Sequence, residues 1–307
     1  MHFTQGHMRR SNPRSRALQK NQSLLYWLGF WLTLTACAFY STASAGTGDS
    51  KEFRQTVDLN KDGRLRMETY KGSIKLTSWD KNQVEIYARI EPGDNVSSQY
   101  AVESVEATKI DIYGSGSTVT IRSDYDDVPS DRSWLFGQSR NVPYVHYEIK
   151  APRTARIQID DHKSEISISD FSGTILVESY KGIVDAENLS GESIFDSHKG
   201  EFRLTGIRGN IEVNNYKGEV YLSAEKLDGR SRLETYKGRI EVRLPKNLAF
   251  TLSADIGDRG DFRSDFEINQ RRDWRDDRDD YYIEQEINGG GPGLYFKTGK
   301  GSIRLIY

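Results

Sequence analysis

Cysteine is nearly absent from this sequence: 307 residues hold one, Cys37. It sits inside an amino-terminal segment with the marks of an export signal, so a chain cleaved after that segment has none. Disulfides, thiol catalysis and cysteine-ligated zinc are then excluded, and stability must come from packing. Histidine is scarce as well, and beyond residue 45 only His146, His162 and His198 remain. An excess of positive charge is also missing. Of 43 basic and 45 acidic residues, the first 45 positions take Arg9, Arg10, Arg14, Arg16, Lys20 and no acid, leaving 38 against 45, or −7, for the rest. Nucleic acid and anionic membrane surfaces attract the opposite sign, so neither is expected as a partner. No phosphate loop, metal tetrad or serine or cysteine nucleophile arrangement can be traced, so neither an enzyme nor a cofactor is expected.

What is present begins with the export signal. Basic residues to Lys20 lead into the apolar run 24–40, and Ala43-Ser44-Ala45 offers small residues before Gly46, the pattern a signal peptidase accepts. Leu34-Thr35-Ala36-Cys37 is a competing lipoprotein box, in which Cys37 would be acylated and anchor the chain. Either route predicts a periplasmic or surface protein with no membrane span after processing. The expected organisation is a signal peptide over 1–45, a short linker over 46–52 and one domain over 53–307.

A repeat then organises the sequence. Tyr-Lys-Gly or a near copy occurs at Tyr70-Lys71-Gly72, His162-Lys163-Ser164, Tyr180-Lys181-Gly182, His198-Lys199-Gly200, Tyr216-Lys217-Gly218 and Tyr236-Lys237-Gly238, and from His162 onward the steps are 18, 18, 18 and 20 residues. With the aromatic as position zero, apolar residues recur at −5 and −3 (Ile175 and Val177) and at +4 and +6 (Val184 and Ala186), with Gly at +11 (Gly173, Gly191, Gly209). Alternation by two in such short runs means strands, since helical repeats need i, i+3, i+4 spacing. One unit cannot hide its apolar face, but units stacked at the strand spacing of about 4.8 Å can. The expectation is an all-β, single parallel β-solenoid (β-helix) with coils of about 18 residues, regular over 155–244.

Outside that stretch the pattern predicts strands within 53–91 with a hairpin turn at 60–63, a short helix over 97–107, an irregular insertion over 124–141, and a strand over 144–150. A solvated charged loop is expected over 271–282, and a last turn at Gly299–Leu305 that closes the stack. Asp58-Leu-Asn-Lys-Asp62-Gly63 matches half of a calcium loop, but Thr69 stands where the twelfth ligand belongs, so a hairpin is the better reading. His162 and His198 lie two units, about 10 Å, apart and cannot share a metal ion.

With these residues in view, the chain resembles the bacterial putative-adhesin family of exported domains. The likeness rests on Thr69-Tyr-Lys-Gly-Ser-Ile74, Tyr147-Glu-Ile-Lys-Ala-Pro152, Leu244-Pro245, Gly289-Gly-Gly-Pro292 and Thr298-Gly-Lys-Gly-Ser-Ile303. It implies a parallel β-solenoid in a cell-envelope setting and settles no function. The Tyr-Lys before the glycine departs from the Ser or Asn commoner in that family.

Two ordered columns carry the candidate chemistry. Position −2 holds Asp160, Glu178, Asp196, Asn214 and Glu234, and position +1 holds Lys163, Lys181, Lys199, Lys217 and Lys237. Opposed columns of this kind are expected to neutralise one another. The candidate binding residues are Tyr180, Lys181, His198, Lys199, Tyr216, Lys217, Tyr236 and Lys237, an edge of rings and cations that a glycan or an envelope protein could follow. The reading is a non-catalytic envelope scaffold or adhesin-like binding protein; the alternative is a β-helical lyase or hydrolase acting on polysaccharide.

Overall fold

The computed structural model describes residues 44–45, 50–129, 141–268, 273–274 and 281–307. All but Ser44–Ala45 of the expected signal peptide, most of the expected insertion over 124–141 and most of the expected charged loop lie outside the described residues.

The chain opens with β1 (Ser44–Ala45), β2 (Lys51–Glu68), β3 (Lys71–Trp79) and β4 (Gln83–Glu91). The expected helix follows as α1 (Ser98–Ala107), with the Ser97 side chain accepting from the Tyr100 N–H at its start, an N-cap that satisfies one orphan donor. Next come β5 (Lys109–Asp124) and β6 (Tyr144–Pro152), then the repeat itself: β7 (Arg156–Asp161), β8 (Lys163–Ser169), β9 (Ile175–Glu187), β10 (Ser193–Gly209), β11 (Ile211–Leu227) and β12 (Arg230–Arg243). The chain ends with β13 (Phe250–Ile256), β14 (Asp261–Ser264), β15 (Asp273–Trp274), β16 (Tyr281–Ile287), β17 (Gly293–Thr298) and β18 (Ser302–Ile306). Among the described residues, eighteen strands join in one mixed sheet, an all-β, solenoid-like domain.

Through the repeat the pairing is parallel and in register: Ile159 lies beside Val177, Val177 beside Phe195, Phe195 beside Val213, and Val213 beside Leu233. Like positions therefore stack. The −3 column and the +4 and +6 columns (Ile166, Val184, Phe202, Val220, Ile240; Ile168, Ala186, Leu204, Leu222, Val242) are all buried. Where −5 is serine, at Ser193 and Ser231, the −3 residue is the bulkier Phe195 or Leu233, and Phe195 packs 5.8 Å from Phe202. Each of these side chains except the smaller Ala186 contributes about 1.5–3 kcal/mol on burial. Gly191 at +11 is dictated by closeness, since a Cβ there would lie 2.2 Å from the Gly173 carbonyl oxygen of the unit beneath.

The flanks differ from a single parallel solenoid. β4 runs antiparallel to β2 and β6, and β16 runs antiparallel to β13 and β15. A physical reason is visible at β4. Only residues 80–82 separate it from β3, and so short a link reverses the chain, because a parallel return needs a long crossover. The expected hairpin at 60–63 is also absent. β2 runs on through it, its first half antiparallel to β4 and its second half parallel to β5 and β7, with a register break between Leu59 and Arg64. The carboxy-terminal turn does not close the stack. β17 lies between β12 and β13, and β18 between β12 and β14, so the last segment of the chain is inserted one layer in.

Candidate functional site

The ring-bearing edge is a consequence of one bend. Along the units headed by Tyr180, His198, Tyr216 and Tyr236, burial alternates through −5, −3 and −1, then slips: positions 0 and +1 are both exposed, and glycine follows at +2, where the first unit has Ser164. Gly218 shows why. Its φ is +138°, and a Cβ would sit 1.9 Å from the Gly200 oxygen, so the bend admits no side chain there. The slip leaves the aromatic and the lysine side by side in solvent.

Beneath the rings the −1 column is buried and polar: Ser179, Ser197, Asn215 and Thr235. Asn215 ties the bend by donating to the Gly200 carbonyl at 2.8 Å and accepting from the Gly200 N–H at 3.3 Å. Asp161 takes this place in the first repeat unit and accepts from the Thr69 hydroxyl (2.8 Å), the Ser164 hydroxyl (2.6 Å), the Ser164 N–H (2.8 Å) and the Ser179 hydroxyl (3.3 Å). Burial pushes its carboxyl above the usual range, and those hydrogen bonds oppose the shift.

The rings form one continuous stack. Centroids are 4.6 Å apart from Tyr70 to His162, 5.1 Å to Tyr180, 5.2 Å to His198, 4.9 Å to Tyr216 and 5.3 Å to Tyr236, with interplanar angles of 16° or less. Yet the column remains outside the core: Tyr180 and Tyr216 are 47% and 48% exposed. Each stacked contact contributes about 0.5–1.5 kcal/mol beyond burial. Four of these rings are sequence candidates. Tyr70 and His162 extend the column and were missed as site residues, although both head copies of the same tripeptide. The insertion between residues 79 and 156 hides the fact that Lys71 pairs with Lys163.

The two charged columns do not neutralise each other. Among the described residues no ion pair joins Lys163, Lys181, Lys199, Lys217 or Lys237 to an acid; the −2 acids Asp160 and Glu234 meet Arg66 and Arg232 instead. The bend separates −2 from +1, with the rings between them. Lys199 and Lys237 lean toward ring faces, 6.0 Å from the Tyr180 centroid and 5.8 Å from that of Tyr236. Stacked acids still feel one another: burial, followed by Asp160, pushes Glu178 above its usual range.

The two ends of the ring column are built differently. At one end Tyr125 meets Tyr70 edge-on, at 6.1 Å and 67°. At the other, the layers beyond Tyr236 carry Gly299 and then Gly257 in the ring position, as the pairings Thr235–Thr298 and Ile256–Thr298 require. A cleft of about 630 Å³ opens there, lined by Asp196, His198, Asn214, Tyr216, Glu234, Tyr236, Asp255, Lys297 and the two glycines.

A second polar cluster lies where β3, paired with the repeat strand β8, meets β6. Ser73 Oγ and His146 Nδ1 share a 2.8 Å hydrogen bond, and His146 Nε2 lies 3.4 Å from Glu91. No serine arrangement is visible in the sequence, because these residues meet only through cross-strand pairing. β3 is paired on both sides at Ser73, so the backbone N–H groups of β3 there are committed to the ladder and not to an oxyanion. Close by, Lys71 sits 3.7 Å over the Tyr144 ring, and desolvation lowers its ammonium. The hydrogen bond to Asp94, with desolvation, pushes the Tyr144 phenol up to about 12. Among the described residues no group of histidine, cysteine and acid side chains could hold a metal ion, and no helix is long and apolar enough to cross a membrane.

Comparison with known proteins gives one family and several distant structures. The family model described as Toastrack DUF4097 matches residues 62–286. No curated protein matches the chain. Among solved structures it is similar to a putative cell adhesion protein from Clostridium sporogenes, at 13% identity and TM-score 0.34, covering 84% of this chain and 99% of that one. It is also similar to a putative adhesin from Bacteroides fragilis, at 13% identity and TM-score 0.35, covering 85% and 100%. A putative lipid binding protein from Parabacteroides distasonis follows at 12% identity and TM-score 0.29, covering 85% and 98%.

Proposed function

The chain belongs to the Toastrack DUF4097 family, and from that premise we propose a non-catalytic binding protein of the cell envelope. In this reading residues 1–45 direct export and are removed, or Cys37 is acylated. The domain over 53–307 is then displayed as a rigid solenoid whose middle is a stack of parallel coils of about 18 residues. Its working face is the edge of Tyr180, His198, Tyr216 and Tyr236 with Lys181, Lys199, Lys217 and Lys237, extended by Tyr70 and His162.

One observation carries the proposal: six rings stacked in solvent at about one strand spacing. A stacked column in a core is packing, but an exposed one leaves ring edges, hydroxyls and lysine heads facing outward. An extended polymer, glycan or protein, laid along it meets the same groups once per unit. Weak contacts of about 0.5–1 kcal/mol each then add along the track. A catalytic cluster would break the repeat at one place, whereas these groups obey it. A glycan array and an envelope pull-down with the purified protein test this. Capture of extended polymers, with affinity rising with chain length, is expected. Turnover of a uronic-acid polymer would favour the enzymatic reading instead.

A further inference from the structure

We infer that the cleft beyond Tyr236 is an end site that takes one neutral hexopyranose, the terminal sugar of a glycan lying along the ring column. The inference rests on the binding-track reading above and adds to it an address and a ligand class.

The glycine step makes the room. Gly299 occupies the next ring position, and a Cβ there would lie 2.8 Å from Cδ2 of Tyr236. Tyr236 has leaned into that space, tilted 16° from Tyr216, and the layer after it again offers only Gly257. A cleft about 630 Å³ in volume runs beside His198, Tyr216 and Tyr236 and on past the last ring to the two glycines, within the range of small-ligand sites. The glycine end of that cleft suits a sugar. An aromatic face packs against the C–H face of a pyranose, while carboxylates accept from its hydroxyls. Glu234 and Asp255 line the same cleft, and Lys297, 3.5 Å from Asp255, supplies a donor. Asp196, Glu234 and Asp255 in the lining are offset by Lys297 on Asp255, by Arg232 on Glu234 and by Lys300, 5.5 Å from the Tyr236 centroid, so the charges around the cleft are already paired and its groups suit hydroxyls better than a carboxylate. At the Tyr70 end the last ring instead meets the edge of Tyr125. A glycan bound on this edge therefore has a preferred direction.

The test is calorimetric titration of the purified protein with cellotetraose, chitotetraose and maltotetraose as neutral probes, tetragalacturonate as the acidic probe, and a tyrosine-containing tripeptide. Binding of at least one neutral tetrasaccharide is expected, with tetragalacturonate at least tenfold weaker. Gly299→Phe lets a ring continue the stack and fill the cleft, and should weaken the neutral probe at least tenfold with an unchanged circular dichroism spectrum. Should that variant misfold, Asp255→Ala serves in its place, with a loss of at least threefold. Unchanged affinity in the folded variant, tighter binding of tetragalacturonate, or binding of the tripeptide with no saccharide would each overturn the end site. If none of the probes binds while long polymers are still captured, and capture falls in Tyr216→Ala/Lys217→Ala, the end site is wrong and the track stands. If tetrasaccharides bind and Gly299→Phe weakens them, but that double variant captures polymer like the parent, the end site stands and the track fails.

Discussion

The middle of this domain and its flanks are one sheet built by two different rules. From Arg156 to Arg243 the pairings among the repeat strands are parallel and, apart from a shift after Leu204 where Ile207 lies beside Ala224, in register, so each residue lies beside its own equivalent one unit away. From Lys51 to Pro152, and again beyond Phe250, parallel and antiparallel pairings mix and chain order departs from spatial order. The difference teaches where a repeat in sequence comes from. In-register parallel stacking makes each position see its own kind, so it selects columns of one residue type: rings at 0, lysine at +1, glycine at +2. Antiparallel pairing imposes no such identity, and the columns vanish.

The largest way to break the comparison lies in the core of the middle. Phe202 is fully buried and packs between Val184 and Val220, so Phe202→Ala should cost about 3–5 kcal/mol by urea unfolding. The glycines sharpen the contrast. Gly218→Ala forces a Cβ to 1.9 Å from the neighbouring backbone oxygen at φ +138° and should cost about 2–4 kcal/mol, strain and clash together. Gly116 in the amino-terminal flank has φ +70° with nothing within 4 Å of the same atom. Gly116→Ala should therefore cost only about 1–2 kcal/mol, the left-handed backbone penalty alone. Equal losses at the two sites would show that close stacking is not what fixes the repeat glycine.

Asp161 sits where flank and middle meet, and its expected effect is the smallest. Its folded pKa is raised by burial, so the stability it contributes is full below the ordinary carboxylate value of about 4 and is lost as pH rises through the raised one. Relative to Asp161→Asn, the parent should lose stability as pH climbs from about 4, then hold a constant difference. Urea melts across pH 4–7 would read this, and a parent that gains on the variant with rising pH would contradict it.

How much was legible follows the same division. The columns at −3, 0, +1, +4 and +6 could be read because identical neighbours leave a fixed period. The short helix expected over 97–107 is found at Ser98–Ala107. Mixed pairing was not legible, because β2 changes partners at Leu59–Arg64 without any change in its alternation. The inserted position of β17 and β18 was not legible either, since Lys-Gly-Ser-Ile fits any layer of the stack. Ring exposure hinged on a one-residue slip of parity beside glycine, which periodicity alone cannot place. The expected charge compensation failed for that same slip, because it moves lysine around the bend from the acids.

The account turns on the exposed rings being a binding face, and one comparison tests that most directly. Tyr216→Ala with Lys217→Ala removes one complete layer of the column, in the middle of the stack and outside the core. Because Tyr216 is about half exposed and stacks on two neighbours, the fold should survive with a loss of about 1–3 kcal/mol, while capture of an array-selected polymer falls by roughly tenfold. Capture equal to that of the parent, or collapse of the domain, would mean that the column holds the protein together and the ligand binds elsewhere.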